Sequence, residues 1–393
     1  MKVLIIEFLW QAEKIIKENI VEKYDLIISL DPESSYYLQK NSIKYFETDQ
    51  IFEDENISKN YERLSLNSIE ICSLIDNELL KIDDNFKNLN WEIFNDFHYD
   101  IKITYDQLIY FSEVFSRMFE KYDVKEITVC QSSILSFKNR LISSEISILE
   151  LLFKTLDLKK KDITISIMQS KNLGKIRNKK DVKSYLQNLI NSFKYYFNLS
   201  IKNPKYLSIR SFEVDYFNKT YPNFEKKILN YKHNNIFKKK YENIDKLLDN
   251  ISKNERLKIL FENKNFNFYK IFKELIIEIS NYFSFILYEY KNNKKFFEKK
   301  KFKVFIFSSS SPSYLPTIFF RKIAKDLNIP QVVWAHGGFG GTKSLSGNDI
   351  LDFRFCKNHI FYGEHFSKYM NNSKYGLHRY EKFTWNKNYN FFT

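Results

Sequence analysis

Pro330-Gln331-Val332-Val333-Trp334-Ala335-His336-Gly337-Gly338-Phe339-Gly340-Gly341-Thr342 is the stretch that indicates the fold most clearly. A β-branched and aromatic run passes directly into a glycine-rich segment, which predicts a buried strand that ends in a functional loop. Glycine adopts positive φ angles and lets a ligand approach the main chain. The chain has only eight glycines, and seven of them lie in or after this stretch: Gly337, Gly338, Gly340, Gly341, Gly347, Gly363 and Gly376.

His336 stands where this strand is predicted to end. In open α/β sheets, ligands bind in the crevice outside the carboxyl ends of the strands, so we expect this imidazole at the mouth of a site. The alternative is a glycine-rich turn that contains a hydrogen-bonded structural histidine. The spacing of the residues does not distinguish the two interpretations.

Apolar runs that alternate with helical patterns predict a parallel sheet in the first part of the chain. Val3 to Ile6 and Leu26 to Leu30 have the composition of buried strands, and the segment between them, Ala12 to Lys23, has helical spacing. Lys125 to Cys130 and Ile163 to Ile167 continue the alternation. The predicted fold class is therefore α/β, with a Rossmann-like parallel sheet and flanking helices.

This alternation stops after Ser170 and returns at Val304. Residues 171–300 have basic, polar and aromatic helical patterns, which predict a helical insertion or subdomain. We therefore divide the chain into an α/β first part (1–170), this insertion (171–300), and an α/β continuation that contains the His-Gly-Gly loop (301–393).

A second polar strand end follows the apolar run Val304 to Phe307. Ser308, Ser309 and Ser310 come directly after it and precede a predicted helix. Hydroxyl and backbone N–H groups in this position can bind a phosphate or the hydroxyl groups of a sugar. Helix capping without any ligand explains the same residues equally well.

The composition is that of a globular protein, with 44% hydrophobic residues and a net charge of +14. The excess of lysine lies in several predicted helices, and it fits a solvated face, an anionic membrane surface or an anionic sugar substrate. We expect no nucleic acid partner, because no recognised nucleic-acid-binding motif is present. The three cysteines, Cys72, Cys130 and Cys356, lack the spacing of a zinc site or disulfide framework, which fits a reducing cytoplasm.

The first β–α turn, Phe8-Leu9-Trp10, contains no glycine. The GxGxxG fingerprint of dinucleotide-binding proteins is therefore absent from this turn, and we expect no NAD or FAD to bind there. No paired aspartates stand at a predicted strand end, so we also expect no obligatory metal ion.

The segment Asn328 to Gly338, followed by an aspartate-containing segment and then Ile360-Phe361-Tyr362-Gly363, resembles the GT-B-type glycosyltransferases of bacterial surface and capsular polysaccharides. It is also similar to the polyol-phosphate transferases that share this fold. Leu30 to Leu38 looks like the second strand and following helix of the same group. The resemblance covers roughly the first fifty and the last ninety residues.

The resemblance implies transfer of a sugar from a nucleotide-activated donor to a polysaccharide or glycolipid acceptor at the cytoplasmic face of the inner membrane. His336 would be the general base, Asp352 would orient the imidazole or bind the acceptor, and the Gly337 and Gly338 amides would bind the departing phosphate. The nucleotide sugar is then a substrate, and no cofactor is expected. The other expected substrate-binding residues are Ser308, Ser309, Ser310, Gly340 and Gly341.

GT-B enzymes consist of two Rossmann-like halves, and the sequence predicts only the N-terminal one. Only about thirty residues follow the predicted strand that ends at Gly363. We therefore expect the C-terminal, donor-binding half to be missing from this chain, which would then be inactive alone. The alternative function is a non-catalytic Rossmann-like module that binds an anionic glycan or a lipid-linked acceptor.

Overall fold

The computed structural model describes residues 1–47, 57–130, 149–155, 163–168, 206–208, 228–230, 237–308, 315–334 and 358–360. The chain divides into two compact units, and each takes segments from different parts of the sequence. The first unit consists of Met1–Ile57, Ile103–Asn178 and Ile244–Ser280. The second consists of Ser58–Lys102, Lys179–Asn243 and Asn281–Thr393.

The described helices and strands follow in chain order. The helices are α1 (Leu9–Lys17), α2 (Pro32–Lys40), α3 (Ile57–Ile82), α4 (Asp84–Leu89), α5 (Ile93–Asp96), α6 (His98–Lys121), α7 (Leu149–Phe153), α8 (Ile244–Lys253), α9 (Glu255–Phe261), α10 (Tyr269–Ser280), α11 (Phe283–Lys300) and α12 (Leu315–Asp326). The strands are β1 (Lys2–Ile6), β2 (Leu26–Ser29), β3 (Phe46–Glu47), β4 (Glu126–Cys130), β5 (Thr164–Met168), β6 (Tyr206–Ser208), β7 (Ile228–Asn230), β8 (Glu262–Asn263), β9 (Phe266–Asn267), β10 (Val304–Ser308), β11 (Gln331–Trp334) and β12 (Asn358–Ile360). The pair β8 and β9 is antiparallel, and the other strands form two five-stranded sheets.

The first unit contains a parallel sheet with the strand order β3-β2-β1-β4-β5. Successive strands run outward in one direction from β1 and in the other from β4, which is the arrangement of a doubly wound fold. Leu4 and Ile6 of β1 pack with Ala12 and Ile15 of α1, and all four side chains are fully buried. Because helices cover parallel sheets, β1 and β2 are apolar along almost their whole length rather than alternating.

Local signals define helices α1 and α2 of the first unit. Asp31 caps α2, because its carboxylate accepts a hydrogen bond of 2.8 Å from the backbone N–H of Ser34. Helix α1 ends at Lys17, six residues before the predicted end. Asn19 follows with a φ angle of 50°, a left-handed conformation that asparagine tolerates and that stops a helix.

The second unit contains a separate parallel sheet with the order β12-β11-β10-β6-β7. Its central strand β10 has buried side chains at Phe305, Ile306 and Phe307. The ring of Phe320 on α12 lies 5.9 Å from that of Phe305 and stacks on that of Phe297 on α11 at 5.2 Å. These aromatic contacts hold both helices within the unit.

The structure confirms the predicted α/β class with parallel strands and flanking helices, but the arrangement of segments differs from the prediction. The predicted helical insertion contains β6 and β7, and its helices are divided: α8 to α10 belong to the first unit and α11 to the second. Strands β10 and β11, in the predicted α/β continuation, belong to the second sheet and not to the sheet that contains β1. Strands as short as β6 and β7 have too few residues to show an alternating pattern.

Candidate functional site

The candidate site lies at the carboxyl edge of the second sheet, where three neighbouring parallel strands end in register. Ser308, the last residue of β10, pairs with Trp334, the last residue of β11. Trp334 in turn pairs with Ile360, the last residue of β12. Neighbouring strands are about 4.8 Å apart, so the three segments that follow these strands start side by side at one edge of the sheet.

This edge also contains the point where the direction of winding changes. From β6 the next strand, β7, lies on one side, whereas from β10 the next strand, β11, lies on the opposite side. Ligands in open α/β sheets bind outside the carboxyl ends of the two strands that flank such a point. In this sheet these are the ends of β6 and β10, at Ser208 and Ser308.

Only one of the predicted site residues belongs to the described part of the chain. Ser308 is the terminal residue of β10, as the sequence predicted for a strand end. The other predicted residues lie outside the described residues: Ser309, Ser310, His336, Gly337, Gly338, Gly340, Gly341 and Asp352. Their roles stay predictions.

A buried ion pair beneath this edge was not predicted. The Arg321 guanidinium on α12 donates through Nη2 to Oδ1 of Asp96, and its central carbon lies 5.8 Å from the centre of the Phe307 ring on β10. Asp96 Oδ2 also accepts a hydrogen bond of 2.8 Å from Nε1 of Trp91. The ion pair thus links helix α5 to helix α12, and the Arg321 guanidinium lies over the ring of Phe307, one residue before the end of β10.

The sequence contains only a weak signal for this pair. Arg321 and Asp96 are 225 positions apart, so no local pattern links them. One indication is that the arginine follows Ile318-Phe319-Phe320 and precedes Ile323-Ala324, so apolar residues surround it on the helix. A charged residue in an otherwise buried helix generally has a partner, but the pattern cannot say which residue it is.

Asp76 on α3 is the acceptor for a second buried cluster in the same unit. Its carboxylate accepts hydrogen bonds from the backbone N–H groups of Phe94 at 2.7 Å and Asn95 at 2.8 Å, and from Nδ2 of Asn95 at 2.8 Å. Complete burial raises the pKa of Asp76 well above its ordinary value, although the two backbone bonds oppose this effect. The nearby carboxylates of Glu92 and Asp96 raise the pKa further.

At the corresponding edge of the first sheet, where β1 ends, the side chain of Gln11 forms hydrogen bonds with the backbone. Gln11 Oε1 accepts hydrogen bonds from the backbone N–H groups of Glu7 at 2.8 Å and Phe8 at 3.1 Å, and Nε2 donates to the carbonyl of Ile5 at 3.2 Å. Dinucleotide-binding folds present the amides of this first turn to a pyrophosphate. Here two of the amides donate to the fully buried Gln11 instead.

Among the described residues, no group of three or more His, Cys, Asp or Glu side chains is arranged to hold a metal ion. No helix in the same part of the chain is long and apolar enough to cross a membrane.

The chain was compared with models of protein families, with curated proteins and with solved structures, and none of them matched. The functional conclusion therefore depends on the sheet edge and on the chemistry of the residues that follow it.

Proposed function

We propose that the protein is a GT-B-type glycosyltransferase that moves a sugar from a nucleotide-activated donor to a surface polysaccharide or glycolipid acceptor. The observation that carries the proposal is the register of Ser308, Trp334 and Ile360 at one edge of a parallel sheet. Ser309 and Ser310 follow the first of these residues, and His336-Gly337-Gly338 follows the second. The serine segment and the His-Gly-Gly segment therefore leave the sheet from adjacent points.

The chain forms two parallel sheets in two compact units, and the segments that resemble the N-terminal half of a GT-B enzyme fall in both: Leu30 to Leu38 belongs to the first unit and Asn328 to Gly338 to the second. Both sheets have a doubly wound order, which provides a ligand crevice at the carboxyl ends of the strands. The strands of the second sheet lie in the predicted insertion (171–300) and the predicted α/β continuation (301–393).

In the proposed reaction, the imidazole of His336 removes the proton from an acceptor hydroxyl. The acceptor oxygen forms a bond to the anomeric carbon of the donor, and the bond between that carbon and the phosphate oxygen breaks. The Gly337 and Gly338 amides bind the departing nucleoside phosphate, and Asp352 orients the imidazole or binds the acceptor. An unperturbed imidazole titrates near neutral pH, which suits a general base.

The test is sugar transfer by the whole chain with a panel of UDP-, GDP- and CMP-activated sugars, followed as nucleotide release that depends on a glycan or glycolipid acceptor. His336→Gln should lower kcat by at least about 10²-fold, because positioned base catalysis typically contributes 10² to 10⁴. His365→Gln is the matched control, since it removes an imidazole that has no role in the proposed reaction and should leave kcat unchanged.

Two results would overturn the proposal. Equal turnover by wild type and His336→Gln would remove the general base. Binding of an anionic glycan without affinity for any nucleotide sugar would favour the alternative, a non-catalytic module that recognises the acceptor.

A further inference from the structure

Helix α11 presents a basic stripe to solvent in the second unit. We use this name for its exposed residues Tyr288, Lys291, Asn292, Lys295 and Lys299. They follow helical spacing, so they lie on one face over about 16 Å of helix length. Within the described residues, Lys291, Lys295 and Lys299 form no ion pair with an acidic side chain.

One end of the basic stripe carries exposed aromatic rings. Phe237 and Tyr288 are 43% and 56% exposed, and their ring centres are 6.2 Å apart. Phe237 also packs edge-on against Phe285 of α11 at 5.5 Å. Large aromatic side chains that remain this accessible together are uncommon on a protein surface and indicate a contact site.

The segment that begins with Phe237 adds three more lysines at the same end. Nζ of Lys238 lies 5.1 Å from the centre of the Tyr282 ring, and the backbone N–H of Lys239 donates to the carbonyl of Asn281 at 3.0 Å. These contacts fix the segment beside the start of α11. Lys238, Lys239 and Lys240 are all exposed.

The acidic residues on the two described segments that form this surface, 237–243 and α11, are too few to balance its charge. Glu242 pairs with Lys239 at 3.2 Å, and the Glu289 carboxylate accepts a hydrogen bond from Nδ2 of Asn293 at 2.9 Å. Glu298 is exposed on the flank of the helix. Residues 237–243 and α11 therefore carry six exposed lysines (238, 239, 240, 291, 295 and 299) and three carboxylates, so among the described residues this surface is positive.

The opposite face of α11 is fixed in the core of the unit. The Tyr290 ring lies 5.3 Å from that of Trp91, and its hydroxyl donates to Oδ2 of Asp326. Phe297 stacks on Phe320 and is 1% exposed. Because these side chains are buried in the core of the unit, α11 cannot insert them into a lipid bilayer without unpacking that core.

We propose that the basic stripe, with Phe237 and Lys238 to Lys240, docks the protein on the surface of an anionic lipid bilayer. Lysines held near such a surface are attracted by its negative potential, and aromatic rings at their side lie at the level of the headgroups. The interaction depends on surface charge and a pair of rings, and no helix needs to insert. It uses no residue of the proposed transfer site, so either proposal can fail without the other.

Nucleic acid fits this surface less well. All six of its cations are lysines, whereas arginine is the residue that binds phosphates through two parallel hydrogen bonds and stacks on bases. Phe237 and Tyr288 meet edge to face, at an interplanar angle of 65°, and so do not form an open platform for successive bases.

The experiment is co-sedimentation of the full chain with vesicles of phosphatidylcholine, either pure or with 30% phosphatidylglycerol, at about 0.1 M salt. We expect binding only to the anionic vesicles, with a loss as the salt concentration rises. Lys291→Gln/Lys295→Gln/Lys299→Gln should weaken partitioning by about 10²-fold, since each lysine near the surface contributes about fivefold. Phe237→Ser/Tyr288→Ser should weaken it severalfold.

The matched control is Lys246→Gln/Lys270→Gln/Lys273→Gln, which removes the same charge from exposed positions in the first unit. It should retain binding to within about twofold. An equal loss in both triple variants would show that net charge alone is responsible and would overturn the proposal. So would binding of a single-stranded RNA oligonucleotide under the same conditions without binding to the anionic vesicles.

Discussion

The carboxylate of Asp76 stabilises the start of helix α5 by hydrogen bonds, but its burial makes the ionised form unfavourable. All three of its hydrogen-bond partners are donors, which suits the ionised form, whereas its complete removal from water disfavours that form. Burial is the larger effect, so the pKa is raised. The carboxylate satisfies two backbone N–H groups at the start of the short helix α5, where no residue of that helix could do so.

The raised pKa of Asp76 predicts a pH-dependent stability. Between the ordinary pKa of an aspartate, about 3.9, and the raised value, the folded state binds more protons than the unfolded state. The free energy of unfolding should therefore fall as the pH rises through this window and level off above it. Asp76→Asn should flatten the fall, measured as the midpoint of urea unfolding between pH 4.5 and 8.

The matched control for this prediction is Asp245→Asn, at an exposed position on α8. It should keep the wild-type profile. Asp76→Asn also replaces an acceptor oxygen by a donor, so it should lower stability at every pH by about 1–3 kcal/mol. The slope with pH is what tests the carboxylate, and parallel profiles for wild type and Asp76→Asn would contradict the assignment.

At the scale of a single element, the first β–α turn depends on Gln11. Without this side chain, the N–H groups of Glu7 and Phe8 and the carbonyl of Ile5 would lose these hydrogen bonds in a part-buried turn. Gln11→Ala should lower the free energy of unfolding by about 1–3 kcal/mol. Hydrogen exchange should be accelerated at the amides of residues 7 and 8, as followed by mass spectrometry of N-terminal peptides.

Gln39→Ala is the control for the turn, since Gln39 is an exposed residue of α2. It should change neither the stability nor the exchange of the N-terminal peptides. Unaltered exchange in Gln11→Ala would mean that the turn is held by the strand and the helix alone.

Elements could be predicted from the sequence where the signal is local, and not where it depends on distant residues. The buried strands β1, β2, β4 and β10 were predicted because apolar runs are visible in a short window. The pairing of Asp96 with Arg321 was not, because it joins helices far apart in the sequence. For the candidate site, the sequence indicated the strand end at Ser308, while its neighbours in the sheet became evident only from the register.

The whole molecule consists of two units whose segments alternate along the chain. Sequence reasoning assumed that neighbouring segments share a domain, which is the usual pattern. Here α8 to α10 belong to the first unit although they lie between β7 and β10 of the second. The return of an α/β alternation at Val304 therefore marks a second sheet rather than a continuation of the first.

The register of β6 with β10 tests this second sheet directly. Tyr206 and Val304 are partners in the parallel pair, and such partners have Cα atoms about 4.8 Å apart, within the range of a disulfide. Tyr206→Cys/Val304→Cys should therefore cross-link under mild oxidation, detected as one linked pair of tryptic peptides. In Leu207→Cys/Val304→Cys the pairing is shifted by one residue, so the two sulfurs should lie on opposite faces of the sheet and stay unlinked. Equal cross-linking of both pairs would mean that residues 206–208 are not held as a strand beside β10, and the ligand crevice expected between β6 and β10 would have no basis.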